Sequence, residues 1–241
     1  MKRAGLARSY LFAPGNRPEL LEKVFSAGAD AVVLDLEDAV PADQKQPARE
    51  RVRQALDRRP AEGDPATWVR INPLDGSHWR PDLEAVVTPA LAGVRVPKVE
   101  SVAGLDALDE ELTRLEVATG CEPISIRLTC TIESAKGLLA AEELARHPRV
   151  DRIAFGSTDF MADIGADPGA ESTATLWARS WLVVACRAAG VMPPIAPVWT
   201  RLDDVDGLRR TTVECRQLGF FGRSCIHPKQ IGPVHEAFTP S

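Results

Sequence analysis

Apolar and polar positions along this chain change period repeatedly. Short runs of β type, alternating or wholly apolar, are each followed by a stretch long enough for a crossover helix. The runs are SYLFAP from Ser9, AVVLDLE from Ala31, TWVRIN from Thr67, AGVRVPK from Ala92, ISIRLTCTIE from Ile124, DRIAFGS from Asp151, MPPIAPV from Met192 and GFFGRSC from Gly219. Helices are expected over 18–27, 45–56, 102–115, 135–146, 173–189, 203–218 and 229–238. Pro18 suits a first turn, and Gly28, Gly190 and Gly219 stand just past helix ends, where backbone strain favours glycine. Residues 163–172, rich in Gly, Ala and acidic side chains, read as a long loop after the sixth strand. Eight strands alternating with helices predict an α/β fold: a closed parallel TIM (β/α)8 barrel forming a single domain over residues 1–241. Two small domains suit that length less naturally.

Alternation also sorts the polar residues. In ISIRLTCTIE, Ile124, Ile126, Leu128, Cys130 and Ile132 share the face that packs on helices, leaving Ser125, Arg127, Thr129, Thr131 and Glu133 for the interior. In TWVRIN, Val69 and Ile71 face the helices while Trp68, Arg70 and Asn72 face inward; in AVVLDLE, Ala31, Val33, Asp35 and Glu37 share one face. For Arg127 and Asp35 an internal salt bridge is the favoured reading. Arg70 stands near the C-terminal end of its strand, where barrel enzymes place their sites, and a carboxylate clamp there reads as substrate binding.

Glu133 ends the fifth strand and Asp159 follows the sixth, so neighbouring strands lift two carboxylates to one rim. Two converging anions call for a cation, and oxygen ligands with room for water suit Mg2+. By spacing alone a solvated loop carboxylate or a helix N-cap is the favoured reading of each. Glu37 and Asp38 could hold metal-bound waters or form rim salt bridges. PGNRPE from Pro14 leads into a helix whose first amides could attract an anion. His227, past the eighth strand, reads first as a hydrogen-bonded loop histidine and second as an acid–base group.

Composition narrows the classes. A net charge of -5 with no basic run excludes nucleic acid as an expected partner. The amino-terminal stretch MKRAGLARSYLFAPGN is interrupted by Arg8 and stopped by Pro14, too short for a signal segment, and no other stretch reads as a membrane span. Five cysteines without CxxC spacing read as reduced packing residues of a cytoplasmic protein.

The strings RSYLFAPGNRPELLEKVFSAGADAVVLDLEDAV, VRIN around Arg70, VPKVES from Val96, TIES around Glu133, FGSTDFMADIG from Phe155 and SCIHPKQI, taken in order, resemble the citrate lyase beta-subunit-like family of the HpcH/HpaI aldolase group, related to malyl-CoA lyases. The resemblance implies a TIM barrel binding Mg2+ through Glu133 and Asp159. It implies Arg70 at the oxo-acid portion of the substrate, with Asn16, Arg17 and Lys98 as further substrate-binding residues and Glu37 and Asp38 joining Arg70 in catalysis. The implied reaction cleaves a citryl-CoA- or malyl-CoA-like thioester to a 2-oxo acid and acetyl-CoA. A class II pyruvate aldolase acting on a free 2-oxo acid, or an accessory subunit of a citrate lyase complex, are the alternatives. A homo-oligomer, a trimer or hexamer, is expected by the same resemblance. Longer relatives continue past the IHP segment into a lid, which is expected to be absent from a chain ending at Ser241.

Overall fold

The computed structural model describes residues 7–58, 63–167 and 171–239. The loop expected over 163–172 lies partly outside them, at 168–170, as do Lys2 and Arg3 of the basic amino-terminal stretch and Ser241.

Seven runs form strands: β1 Ser9–Pro14, β2 Ala31–Asp35, β3 Ala66–Arg70, β4 Gly93–Val96, β5 Arg127–Ile132, β6 Val150–Phe155 and β7 Arg223–Cys225. They make one parallel sheet in the order β6-β5-β4-β3-β2-β1-β7. Parallel neighbours need crossovers, and helices supply them. After β1 comes α1 (Pro18–Lys23), after β2 α2 (Lys45–Asp57), after β3 α3 (Trp79–Val86), and after β4 α4 (Val102–Thr119). Between β5 and β6 lie α5 (Ala135–Leu139) and α6 (Ala141–Ala145). After β6 come α7 (Ser157–Asp163), α8 (Glu171–Ala174), α9 (Leu176–Ala189) and α10 (Val205–Leu218), and α11 (Ile231–Phe238) follows β7.

The alternation read from the sequence sorts the two faces of this sheet. Val69, Ile71, Ile126, Leu128, Cys130 and Ile132 join the large apolar cluster shared with the helices. Trp68, Tyr10, Ala31, Val33, Ala154 and Ile195 form a separate small cluster on the opposite, inner face. Trp68 fits there because residue 93 is glycine: a Cβ would meet Trp68 Cε3 at 2.7 Å and the Arg127 carbonyl at 2.5 Å. Arg152 ties the inner cluster to its surroundings, donating to the Tyr10 hydroxyl at 2.8 Å and to the carbonyls of Pro193, at 2.6 Å, and Phe221.

The expected strand from Met192 is not a strand. Only Ile195 and Ala196 bridge, Ile195 to Ala154 of β6 and Ala196 to Arg223 of β7. Each bonds to one side only: Ile195 N donates to Ile153 O at 2.9 Å and its carbonyl accepts Phe155 N at 3.2 Å, while Ala196 N donates to Gly222 O at 2.9 Å and its carbonyl accepts Ser224 N at 3.1 Å. Pro193, Pro194 and Pro197 have no N–H to extend the pairing. Of the expected eight-stranded barrel, the structure shows seven parallel strands plus two bridging residues, and closure into eight strands is not shown. Two helices were also absent from the sequence reading, α3 and α7, the latter opening at Ser157, the last residue of the DRIAFGS run. No helix among the described residues is long and apolar enough to cross a membrane, and all five cysteines are free thiols.

At the N-terminal end of β6, Arg149 is buried against Glu116, Asp109 and Thr113. The Glu116 carboxylate also accepts the Ile124 and Ile126 amides at 3.0 Å each. This network pins α4 to the loop entering β5, at the end of the sheet opposite the carboxylates described next.

Candidate active site

Strands β2 to β6 bring one acidic or basic group each to their C-terminal ends, and one buried carboxylate organises the first two. Asp35, 1% exposed, ends β2 and accepts Arg70 Nε and Nη2 at 2.7 Å each. The same oxygens accept the amides of Glu37 at 3.0 Å and Ala39 at 3.2 Å, folding the segment after β2 back over the strand end. From below, Lys45 Nζ donates to the Leu36 and Glu37 carbonyls at 2.7 Å each, and Asn72 Nδ2 to the Leu36 carbonyl at 2.9 Å. The turn carrying Glu37 and Asp38 is thus fixed at both its N–H and C=O groups. Asp35 does take part in an internal salt bridge, with Arg70 as its partner.

Glu37 is 3% exposed, with Arg70 Nη1 at 2.8 Å from Oε2 and Lys98 Nζ at 3.3 Å from Oε1. Both contacts are charge contacts, without an aligned hydrogen bond to either Glu37 oxygen among the described residues. Burial holds the Glu37 carboxyl above its ordinary range, with Arg70 opposing. Asp38 is exposed beside it, 3.8 Å from Lys98 Nζ and 3.9 Å from Arg70 Nη2's neighbour Nη1. Lys98 is stabilised as a cation: burial lowers it, but Glu37 and Asp38 together raise it. Its backbone is left-handed, φ 51°, an unusual conformation for a residue with a side chain. That conformation accompanies a hydrogen bond from the Lys98 amide to Glu133 Oε2 at 3.0 Å.

Glu133 follows β5 and is 7% exposed. Burial, then the charges of Glu37 and Asp159, push its carboxyl up to about 7. Gly156, between β6 and α7, packs against it: a Cβ there would lie 2.6 Å from Glu133 Oε1. Asp159 stands in the first turn of α7, exposed to solvent. The cluster is short of positive charge at this point. A divalent cation at Glu133 and Asp159 would satisfy two carboxylates that otherwise repel. No group of three or more His, Cys, Asp or Glu side chains among the described residues forms a complete cage. A cation bound at these two carboxylates would take its remaining ligands from water and substrate oxygens, a donor set that suits Mg2+.

Some expected residues stand apart from this cluster. Asn16 donates to Gln44 Oε1 at 2.7 Å, and Arg17 is an exposed partner of Glu19 at 2.7 Å. Neither makes a described contact with Glu37, Arg70, Lys98 or Glu133. His227 accepts the Lys229 amide at 3.1 Å and caps the short turn after β7, in line with its loop reading. Asn72, expected inside the sheet, lies beyond the end of β3 and turns to Asp82 of α3, at 2.6 Å.

The sequence reading missed Lys45, whose partners are main-chain carbonyls and leave no sequence trace. It also missed Arg95 and Phe12. Arg95 lies across the inner face, donating from Nε to the Thr131 hydroxyl at 3.1 Å and from Nη1 to the Ser224 hydroxyl at 2.9 Å. The Phe12 ring lies 5.3 Å from the Arg70 guanidinium carbon and 5.0 Å from that of Arg95. A signal for Arg95 existed: in VRV the two valines face the helices, which leaves the arginine inward.

A model of the HpcH/HpaI aldolase/citrate lyase family matches residues 8–228. Citrate lyase subunit beta of Haemophilus influenzae is 35% identical over 237 residues, covering 98% of this chain and 81% of that protein. L-malyl-CoA/beta-methylmalyl-CoA lyase of Rhodobacter capsulatus is 34% identical over 259 residues, covering 99% of this chain and 80% of that protein. The citrate lyase beta subunit of M. tuberculosis, solved in complex with oxaloacetate and magnesium, is 30% identical, with a TM-score of 0.82 and 100% of each chain covered.

Proposed function

The chain belongs to the HpcH/HpaI aldolase/citrate lyase family, whose relatives here are carbon–carbon lyases, and from that premise we propose that it is a Mg2+-dependent lyase cleaving a citryl-CoA- or malyl-CoA-like thioester to a 2-oxo acid and acetyl-CoA. The observation that carries this reading is the carboxylate Glu133, buried against Gly156, pushed to about 7 and sharing a rim with Asp159, Glu37 and Arg70. With Ile195 and Ala196 counted as the remaining strand, the sheet reads as one (β/α)8 barrel domain, and this rim is its C-terminal mouth.

Glu133 and Asp159 are assigned as the residues that hold Mg2+. Bound there, the ion supplies Lewis acidity toward the carbonyl of a 2-oxo acid. The Lys98 amide, bonded to one Glu133 oxygen, would hold that carboxylate in place for the ion. Arg70, its fork held by Asp35, presents a fixed positive charge to substrate oxygens. In the cleavage direction the substrate's hydroxyl loses its proton as the carbon–carbon bond breaks. The electron pair goes to the thioester-bearing carbon, whose enolate is then protonated to acetyl-CoA. Glu37 and Asp38, beside Lys98, are the carboxylates we assign to take the hydroxyl proton. Asn16 and Arg17, at the turn after β1, remain assigned to the outer part of the substrate.

A homo-oligomer is part of this reading. It is supported by the exposed Trp177 on α9, stacked at 6.2 Å on the half-buried Trp181. Five free thiols support a reducing, cytoplasmic setting. The test is breakdown of citryl-CoA and malyl-CoA by the isolated protein with and without Mg2+. Metal-dependent release of acetyl-CoA is the expected result. Cleavage of neither thioester, with aldol condensation of pyruvate and an aldehyde instead, would transfer the assignment to a pyruvate aldolase.

A further inference from the structure

Two guanidinium groups flank the Phe12 ring on the inner face of the sheet, and they are compensated very differently. Arg70 has Asp35 at 2.7 Å, Glu37 at 2.8 Å and Asp38 at 3.9 Å. Arg95, 5% exposed, has two neutral hydroxyls, Thr131 and Ser224, and among the described residues no ion pair. Its Nη2 carries no hydrogen bond among them either. Burial, then the nearby Arg70 charge, lowers Arg95 to about 10, while Glu133 raises it.

An arginine does not shed its proton at ordinary pH, so the charge stays where it is buried. A buried charge held by neutral partners is costly unless a counter-charge arrives. Glu133 is the acid whose charge acts most strongly on Arg95, and in the reading above that charge is shared with Mg2+. What remains to balance Arg95 is an anionic ligand at the same place.

We propose that Arg95 is an anion-recognition residue of this site, the floor on which a carboxylate of the 2-oxo acid rests beside the metal position, next to the Asp35-anchored Arg70. This deepens the proposed function and rests on its placing of the metal. The competing account is that Arg95 merely ties β4 to β5 and β7. The two accounts differ in sign for the metal. Removing a neighbouring positive charge leaves cation affinity equal or higher, whereas loosening the strands lowers cation and anion affinity together.

The experiment measures two equilibria on the whole chain: Mn2+ binding by electron paramagnetic resonance, and oxaloacetate binding by calorimetry in saturating Mg2+. For Arg95→Met the expected result is oxaloacetate affinity about 10- to 100-fold weaker, the range for losing a charged hydrogen bond, with Mn2+ affinity unchanged or tighter. Arg95→Lys keeps the charge without the planar fork and is expected to lose a smaller part of the oxaloacetate affinity. Wild-type oxaloacetate affinity in Arg95→Met, or parallel loss of Mn2+ and oxaloacetate, overturns the proposal. Should Arg95→Met not fold, Arg95→Lys decides, and wild-type affinity there overturns it equally. Oxaloacetate binding that depends on Arg95 in a chain that binds no Mn2+ would defeat the metal reading and leave this one standing. A wild-type chain that binds no oxaloacetate defeats both.

Discussion

Replacing Glu133 with glutamine should make the metal-free protein more stable above neutral pH while removing its metal site. The argument is one of linkage. The Glu133 carboxyl moves from 4.5 in the unfolded chain to about 7 when buried among Glu37 and Asp159. For a raised pKa the folded state holds its proton more tightly, so the associated stability is fully present below 4.5 and is lost as pH rises to about 7. At 1.36 kcal/mol per pH unit over that window, the ionised side chain costs about 3 kcal/mol at pH 8. Glu133→Gln keeps the shape and cannot ionise, so in EDTA at pH 8 it should exceed the wild type by up to about 3 kcal/mol, on the order of 6–12 °C in Tm for a chain of this size. The difference should shrink toward zero at pH 4.5. Adding Mg2+ should stabilise the wild type by mass action and leave the variant unmoved. Urea unfolding at pH 4.5 and 8, each with EDTA and with Mg2+, reads all four conditions. A variant less stable than the wild type at pH 8 in EDTA, or a difference that does not change with pH, would refute the reasoning.

Two further substitutions separate the site from its frame. Gly156→Ala places a methyl group 2.6 Å from Glu133 Oε1; it should displace that carboxylate and weaken Mg2+ binding at least about 10-fold, as outer-shell changes at metal sites do, while far-ultraviolet circular dichroism stays wild type. Glu116→Ala leaves the buried Arg149 with Asp109 as its remaining carboxylate and strands two amides; it should cost about 3 kcal/mol in urea unfolding and leave Mg2+ affinity in the folded protein unchanged.

Period-two patterning carried most of what could be read beforehand. It separated Val69 and Ile71 from Trp68 and Arg70, and it turned Asp35 and Glu133 toward the inner face or its rim, because a sheet with helices on one face imposes that alternation. It failed where the backbone itself decides. The run at Met192 has strand-like composition, but three prolines remove the donors a strand requires, and two residues bridge. Helices α3 and α7 span eight and seven residues, too short for an apolar stripe to repeat. Asn72 follows the inner-face pattern only on paper, because β3 ends at Arg70 and alternation has no meaning beyond it. Within the site, residue types at strand ends pointed to Glu133, Asp159, Arg70 and Glu37. The bracing of their turn by Lys45 could not be foreseen, since its acceptors are carbonyls that every residue owns.

The placing of a divalent cation between Glu133 and Asp159 is best tested by titrating the isolated chain with Mn2+, read by electron paramagnetic resonance, beside Glu133→Gln and Asp159→Asn. One site per wild-type chain, weakened at least about 10-fold in each folded variant, is the predicted result. Undiminished Mn2+ affinity in either variant would contradict it.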